Sequence, residues 1–187
     1  MKVIIIGLGN FGAALGKKMV KLGHEIIGVD NNIQRVEALK DKLSYTICLD
    51  ATDELSINKL PLNNTDIVII SIGENEGANI MATAIFKNKN VKRLISRSIN
   101  SLHENVLQAI GVTEIIRPEA ESAERWTKKL NVKGVVDSFE LNKEYSIIEV
   151  VTPNELVGKT FDEILFKKQH NILVMTVIKN KEEASFL

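Results

Sequence analysis

The residues best placed to do chemistry come first in the chain. Gly7–Leu8–Gly9–Asn10–Phe11–Gly12 carries glycines at the spacing that lets a backbone loop hold phosphate. Gly7 permits a tight turn, Gly9 lets the main chain approach phosphate oxygens, and Gly12 lets the following helix pack close to its strand. The N–H groups and positive end of that helix then attract an anion. Asp30 follows Gly9 by 21 residues. A carboxylate at that spacing accepts hydrogen bonds from both ribose hydroxyls of an adenine nucleotide and repels a 2′-phosphate, so NADP is expected to bind poorly. The bland alternative is a loop of packing glycines that holds no ligand.

Three more segments end strands on the same side. Asp50–Ala51–Thr52–Asp53 offers small and acidic side chains that could bracket an adenine ring, although Thr52 or Asp53 could equally cap a helix. Ser71–Ile72–Gly73 places a glycine where the chain could pass close to a ligand. Arg97 is a cation that could face phosphates, or an ordinary surface ion pair. Catalytic groups are harder to find. His24 falls in a turn, His103 early in a helix where solvation or capping is expected, and His170 in the second lobe. None has a neighbour at catalytic or metal-ligand spacing. Cys48 lies on an apolar strand and is expected in the core. Trp126 and Leu130, four residues apart on a helix, are expected to pack.

The elements that must position these residues alternate between strand and helix. Val3–Ile6, Glu25–Asp30, Thr46–Leu49, Asp66–Ser71, Arg93–Ser96 and Glu114–Arg117 are short β-rich runs. Helical patterns separate them, over Phe11–Leu22, Ile33–Lys42, Leu55–Leu60, Glu76–Lys87 and Leu102–Ile110. Strands apolar throughout, with helices between, predict a parallel sheet covered on both faces: an α/β, Rossmann-like doubly wound fold. Pro118 ends the sixth strand, and Glu119–Leu130 is a helix. Beyond Gly134 the pattern changes to a hairpin, Val135–Leu141 with Tyr145–Val151, then a helix over Thr160–Lys168 and a strand over Ile172–Ile178. Residues 1–133 therefore read as a nucleotide-binding lobe, and 134–187 as a small α+β lobe.

Bulk composition narrows the partners. The 187 residues carry 24 basic and 24 acidic side chains. That balance gives no electrostatic reason to expect nucleic acid or an anionic membrane surface. No apolar run approaches the ~20 residues a membrane helix needs. The chain enters Val3–Ile6 at once, so no signal peptide is expected. A single cysteine excludes an intrachain disulfide and a cysteine metal cluster. A cytoplasmic protein is the expectation.

The glycine loop, Asp30, Asp50–Ala51–Thr52–Asp53, Arg97 and the stretch from Gly111 through Arg117–Pro118–Glu119 together resemble the Trk/Ktr potassium-uptake regulatory subunits, which carry RCK domains (regulators of potassium conductance). Tyr145–Ser146–Ile147–Ile148–Glu149 and Leu156–Val157–Gly158–Lys159 resemble the start of that family's C-terminal subdomain. The resemblance implies a soluble subunit on the inner face of a membrane potassium channel or transporter. It implies a homodimer and a larger ring whose shape follows the bound nucleotide. Glu119–Leu130 would be the crossover helix between partners, with Trp126 in the dimer interface. Glu119 matches an acidic position near the nucleotide phosphates. Asn32 matches a position near the adenosine, and Asn31 is grouped with it. Members that sense ATP often carry arginine where this chain has Asn10, which leaves NAD(H), ADP or AMP open beside ATP. The chain reaches Leu187 soon after one strand of the second lobe, where the family's subdomain continues with further strands. The competing reading is a small NAD-dependent oxidoreductase, against which the missing acid–base residue counts.

Overall fold

The computed structural model describes all residues except 132, 133, 143, 165, 167–170, 180, 181 and 187. Two compact units divide the chain, Met1–Ala123 and Glu124–Leu187.

The first unit is built on six parallel strands: β1 (Lys2–Ile6), β2 (Glu25–Asp30), β3 (Tyr45–Cys48), β4 (Ile67–Ile70), β5 (Leu94–Arg97) and β6 (Glu114–Ile116). Their order in the sheet is β3-β2-β1-β4-β5-β6. β1 is central, pairing Val3–Ile6 with Ile26–Val29 on one side and Ile67–Ile70 on the other. Both faces of Val3–Ile6 in β1 and of β4 are buried, which explains their unbroken apolar sequence. Ile4, Ile6, Val29, Val68 and Ile70 face one layer with Ala82 and Phe86. Val3, Ile5, Ile26, Ile67 and Ile69 face the other with Leu8, Val36, Leu39 and Leu43. Each such side chain, fully buried, contributes about 1.5–3 kcal/mol of transfer free energy.

Helices α1 (Asn10–Lys21), α2 (Ile33–Leu39), α3 (Glu54–Ile57), α4 (Glu76–Asn88) and α5 (Ser101–Ala109) connect the strands. Asn32, Asp53, Asn75 and Asn100 cap α2 to α5 through their side-chain oxygens. Asp53, not Thr52, is thus the cap of its helix. α6 (Pro118–Asn131) opens with proline at a position that needs no N–H donor. The chain leaves β1 towards β2 and β3, then returns to β4 on the far side of β1. That reversal makes the carboxyl ends of β1 and β4 a topological switch point.

In the second unit β7 (Val135–Glu140) and β8 (Ser146–Val150) form the expected antiparallel hairpin. Asn142 Oδ1 closes its turn by accepting from the Glu144 and Tyr145 amides. A helix, α7 (Phe161–Ile164), follows, and the rest of the helix expected over Thr160–Lys168 lies largely outside the described residues. The strand expected over 172–178 begins only at Thr176 as β9 (Thr176–Lys179), preceded by Asn171 in the left-handed region at φ 52°. β9 pairs antiparallel with β10 (Glu182–Phe186), a strand the sequence reading did not anticipate. Among the described residues no helix is long and apolar enough to cross a membrane.

Candidate functional site

The glycine loop lies at the carboxyl end of β1. Gly7 adopts φ +95°, a left-handed conformation that suits glycine, and a Cβ there would stand 2.9 Å from the Ile72 nitrogen. A Cβ at Gly12 would stand 2.5 Å from Ser71 Oγ, which itself donates to the Gly7 carbonyl at 2.6 Å. Glycine 7 and glycine 12 therefore serve close packing of loop, helix and β4. Gly9 differs: a Cβ there meets nothing within 4 Å. Gly9 is also the N-cap of α1, which has no side-chain cap and no acid in its first turn. The first N–H groups of α1 thus have no side-chain acceptor, and an anion at Gly9 would supply one. Asn10 is exposed and Phe11 half-buried beside this opening.

Asp30 ends β2 and is 5% exposed. Its Oδ2 accepts from the Leu8 amide at 2.6 Å and its Oδ1 from the Asn32 amide at 2.8 Å. The backbone thus fixes the carboxylate against the loop. A carboxylate offers about four acceptor sites, so capacity remains for ribose hydroxyls. Asn32 spends its side-chain oxygen on the α2 cap, and Asn31 is exposed. Asp50 Oδ1 accepts from both the Thr52 amide and hydroxyl at 2.8 Å. Ala51 does not face the sheet edge: it is buried in the core with Ile57 and Val29.

Arg97 ends β5 and turns back under the β4 loop. Its side chain is 15% exposed and ion-paired to Glu119, in the first turn of α6. Its guanidinium lies 5.8 Å from the Phe11 ring centroid, within reach of a cation–π contact. Arg97 Nε is buried without a hydrogen-bond partner. A Cβ at Gly73 would stand 2.6 Å from Arg97 Cζ, so Gly73 is small to admit this arginine rather than a ligand. Phe11, Gly73, Arg97 and Glu119 are thereby brought together. Asp30 stands across the switch point, on the far side of β1.

One polar network here was not read from the sequence. Asn79, on α4, donates through Nδ2 to the Ile72 carbonyl at 2.8 Å and the Arg97 carbonyl at 3.1 Å. Its Oδ1 accepts from Thr83 Oγ1 at 3.3 Å and Ser96 Oγ at 3.1 Å. All three residues are fully buried. Asn79 therefore ties the ends of β4 and β5 at the edge of the site. The available signal was spacing: Asn79 and Thr83 share one helix face with Ala82 and Phe86, so polar groups occupy core positions.

Several expectations are corrected. Cys48 is exposed, because β3 is an edge strand with only its middle half-buried. His103 is neither solvated nor a cap: it is 1% exposed, and the Asn100 side chain caps its amide. Both His103 ring nitrogens lack partners, and burial lowers its pKa despite the nearby Glu76 charge. Trp126 is half exposed, with the Lys129 ammonium 5.4 Å from its ring centroid. His24 Nδ1 stands 3.4 Å from the N-terminal amine, in the turn expected for it. His170 lies outside the described residues.

Residues 3–118 match the TrkA-N domain family. The chain belongs to this family. It is also 33% identical over 178 residues to the Ktr system potassium uptake protein C of Bacillus subtilis (strain 168), covering 95% of this chain and 80% of that protein. Among solved structures it resembles the GsuK channel bound to NAD, with TM-score 0.68 and 14% identity over 98% of this chain and 34% of that one. It also resembles the Kef C-terminal domain of Shewanella denitrificans in its AMP-bound form, with TM-score 0.59 and 19% identity over 71% and 84%. These likenesses extend the Rossmann-like six-stranded fold of this TrkA-N member to nucleotide-bound structures.

Proposed function

We propose that this chain is a nucleotide-sensing regulatory subunit of a potassium uptake system, working at the cytoplasmic face of the membrane without catalysing a reaction. The observation that carries this reading is the uncapped amino end of α1, facing open space at Gly9 between Asp30 and Arg97. Phosphate chemistry suits that end, and ribose chemistry suits Asp30. The potassium uptake named for the Bacillus relative, and the NAD and AMP named for the two structural neighbours, support the rest.

On this reading residues 1–133 form the nucleotide-binding lobe and 134–187 part of a C-terminal subdomain. The ligand is an adenine nucleotide, NAD(H) or ATP, ADP or AMP. Gly7, Gly9, Asn10, Phe11 and Gly12 surround its phosphates. Asp30, Asn31 and Asn32 take the ribose. Asp50 and Thr52, with the backbone of Ala51 and of Ser71–Ile72–Gly73, flank the base. Arg97 and Glu119 sit at the phosphate end. The partner is a membrane-embedded potassium channel or transporter subunit, engaged by a homodimer or larger ring. Exposed Trp126, Leu130, Phe139, Ile147 and Val150 support assembly, since so many exposed apolar side chains favour an interface.

A thermal-shift panel of ATP, ADP, AMP, NAD and NADH tests the reading, because a ligand bound only by the folded state raises its apparent stability. At least one should raise the Tm at concentrations well above its Kd. No shift with any of the five would remove the nucleotide site.

A further inference from the structure

A second ion pair crosses the same edge of the sheet. Arg35, in the first turn of α2, donates through Nη2 to both carboxylate oxygens of Glu74, at 2.6 and 2.9 Å. Glu74 stands in the loop after β4. Because β1 lies between β2 and β4, the pair spans the end of β1 where the glycine loop begins. Arg35 Nη1 is also 3.7 Å from Asp30 Oδ2. The guanidinium therefore sits beside the expected ribose carboxylate, shared between two acids. The hydrogen bond that Arg35 donates to Glu74 raises the Arg35 pKa, outweighing desolvation, with the charges of Asp30 and Glu74 adding to it. A forked guanidinium beside the ribose is the group a 2′-phosphate would use. Here its Nη2 arm is already occupied.

We propose that Glu74 is a specificity-determining residue that withholds Arg35 from the ribose 2′ position, adding to Asp30 in excluding ligands with a 2′-phosphate. This rests on the nucleotide reading above. With Glu74 present, the Asp30–Arg35–Glu74 cluster carries a net charge of −1, and an entering phosphate dianion must displace Glu74. Without Glu74 the remaining Asp30–Arg35 pair is neutral and Nη2 is free. The Glu74 side chain is 74% exposed, so its removal leaves the core untouched.

The test is calorimetric titration of the full chain with 5′-AMP and with adenosine 2′,5′-bisphosphate, in the wild type, E74A and the double variant R35A/E74A. The bisphosphate-to-AMP affinity ratio should rise by about fivefold or more in E74A, as expected for removing one repulsive charge at short range. It should return towards the wild-type value in R35A/E74A. A ratio within twofold of wild type in E74A, with 5′-AMP still bound, overturns the proposal and leaves the nucleotide reading intact. A gain that survives in R35A/E74A also overturns it, since Arg35 would then not be the receiving group. A wild type that binds neither ligand overturns this inference, while the five-nucleotide thermal-shift panel above decides the nucleotide reading separately.

Discussion

Asn79→Ala should destabilise the six-stranded unit by about 3 kcal/mol and weaken nucleotide binding together with it. The magnitude follows from the bonds lost. Asn79 is 0% exposed and makes four hydrogen bonds, two given to main-chain carbonyls and two received from hydroxyls. A buried neutral hydrogen bond contributes about 0.5–1.5 kcal/mol net, and a group left unsatisfied costs roughly 1–3 kcal/mol. The two hydroxyls keep a partner in each other, at 3.0 Å between Thr83 Oγ1 and Ser96 Oγ. The main penalty therefore falls on the carbonyls of Ile72 and Arg97. Two orphaned carbonyls at about 1.5 kcal/mol each give the figure. Urea unfolding followed by far-UV circular dichroism measures it directly, through a change in midpoint at constant slope. Titration with ADP, combined in a double-mutant cycle with Arg97→Ala, measures the site effect. The two substitutions should be strongly non-additive, because both act on one position of Arg97. A stability loss under about 1 kcal/mol, or additive effects on ADP affinity, would refute the idea that Asn79 holds the two strand ends.

Asp30→Ala should weaken adenine-nucleotide binding by at least ~1.5 kcal/mol, the scale of hydrogen bonds to a charged group, and unchanged calorimetric affinity would remove Asp30 from the site. Gly9→Val should leave the Tm of the free protein within a degree or two, since its side chain enters open space, but reduce nucleotide affinity about tenfold by filling the phosphate approach. His103 should make the protein acid-labile. Its folded pKa lies below the ordinary 6.5, so the unfolded chain takes the proton first and stability falls as pH drops below 6.5, by at most about 1.4 kcal/mol per pH unit for one proton. His103→Phe should flatten that slope between pH 6.5 and 5, and an unaltered slope would mean that other groups cause it. Assembly is checked by sedimentation, where a strictly monomeric protein at micromolar concentration would contradict the ring.

The main chain of this site was legible in the sequence, and much of its side-chain wiring was not. Strands buried on both faces advertise themselves, because burial demands apolar residues throughout Val3–Ile6 of β1 and Ile67–Ile70 of β4. The glycines advertise the loop because packing against Ser71 and Ile72 tolerates little else at Gly7 and Gly12. What sequence could not give was which long side chain meets which. Arg35 and Glu74 are 39 residues apart and meet only because β1 separates β2 from β4. His103 looked solvated by its place in a helix and is buried by the packing of α5. Cys48 looked buried by its apolar neighbours and is exposed because β3 is an edge. In both cases burial is set by neighbours distant in sequence, which local composition does not report.

Arg97 is the residue through which these pieces combine. Its carbonyl is held by Asn79, its guanidinium fills the space at Gly73, and its charge is paired to Glu119 at the start of α6. α6 runs from the first compact unit into the second. On the reading proposed above, a nucleotide phosphate arriving at Gly9 and Phe11 competes with Glu119 for the same guanidinium. A ligand shifts an equilibrium only by its difference in affinity for two states. That difference must arise where ligand and assembly contact a common group. Of the residues assigned here to the nucleotide, Arg97 and Glu119 combine proximity to the phosphate loop with a bond to the helix that leaves the domain, so the sensing step is best sought in that pair rather than in the ribose contacts of Asp30.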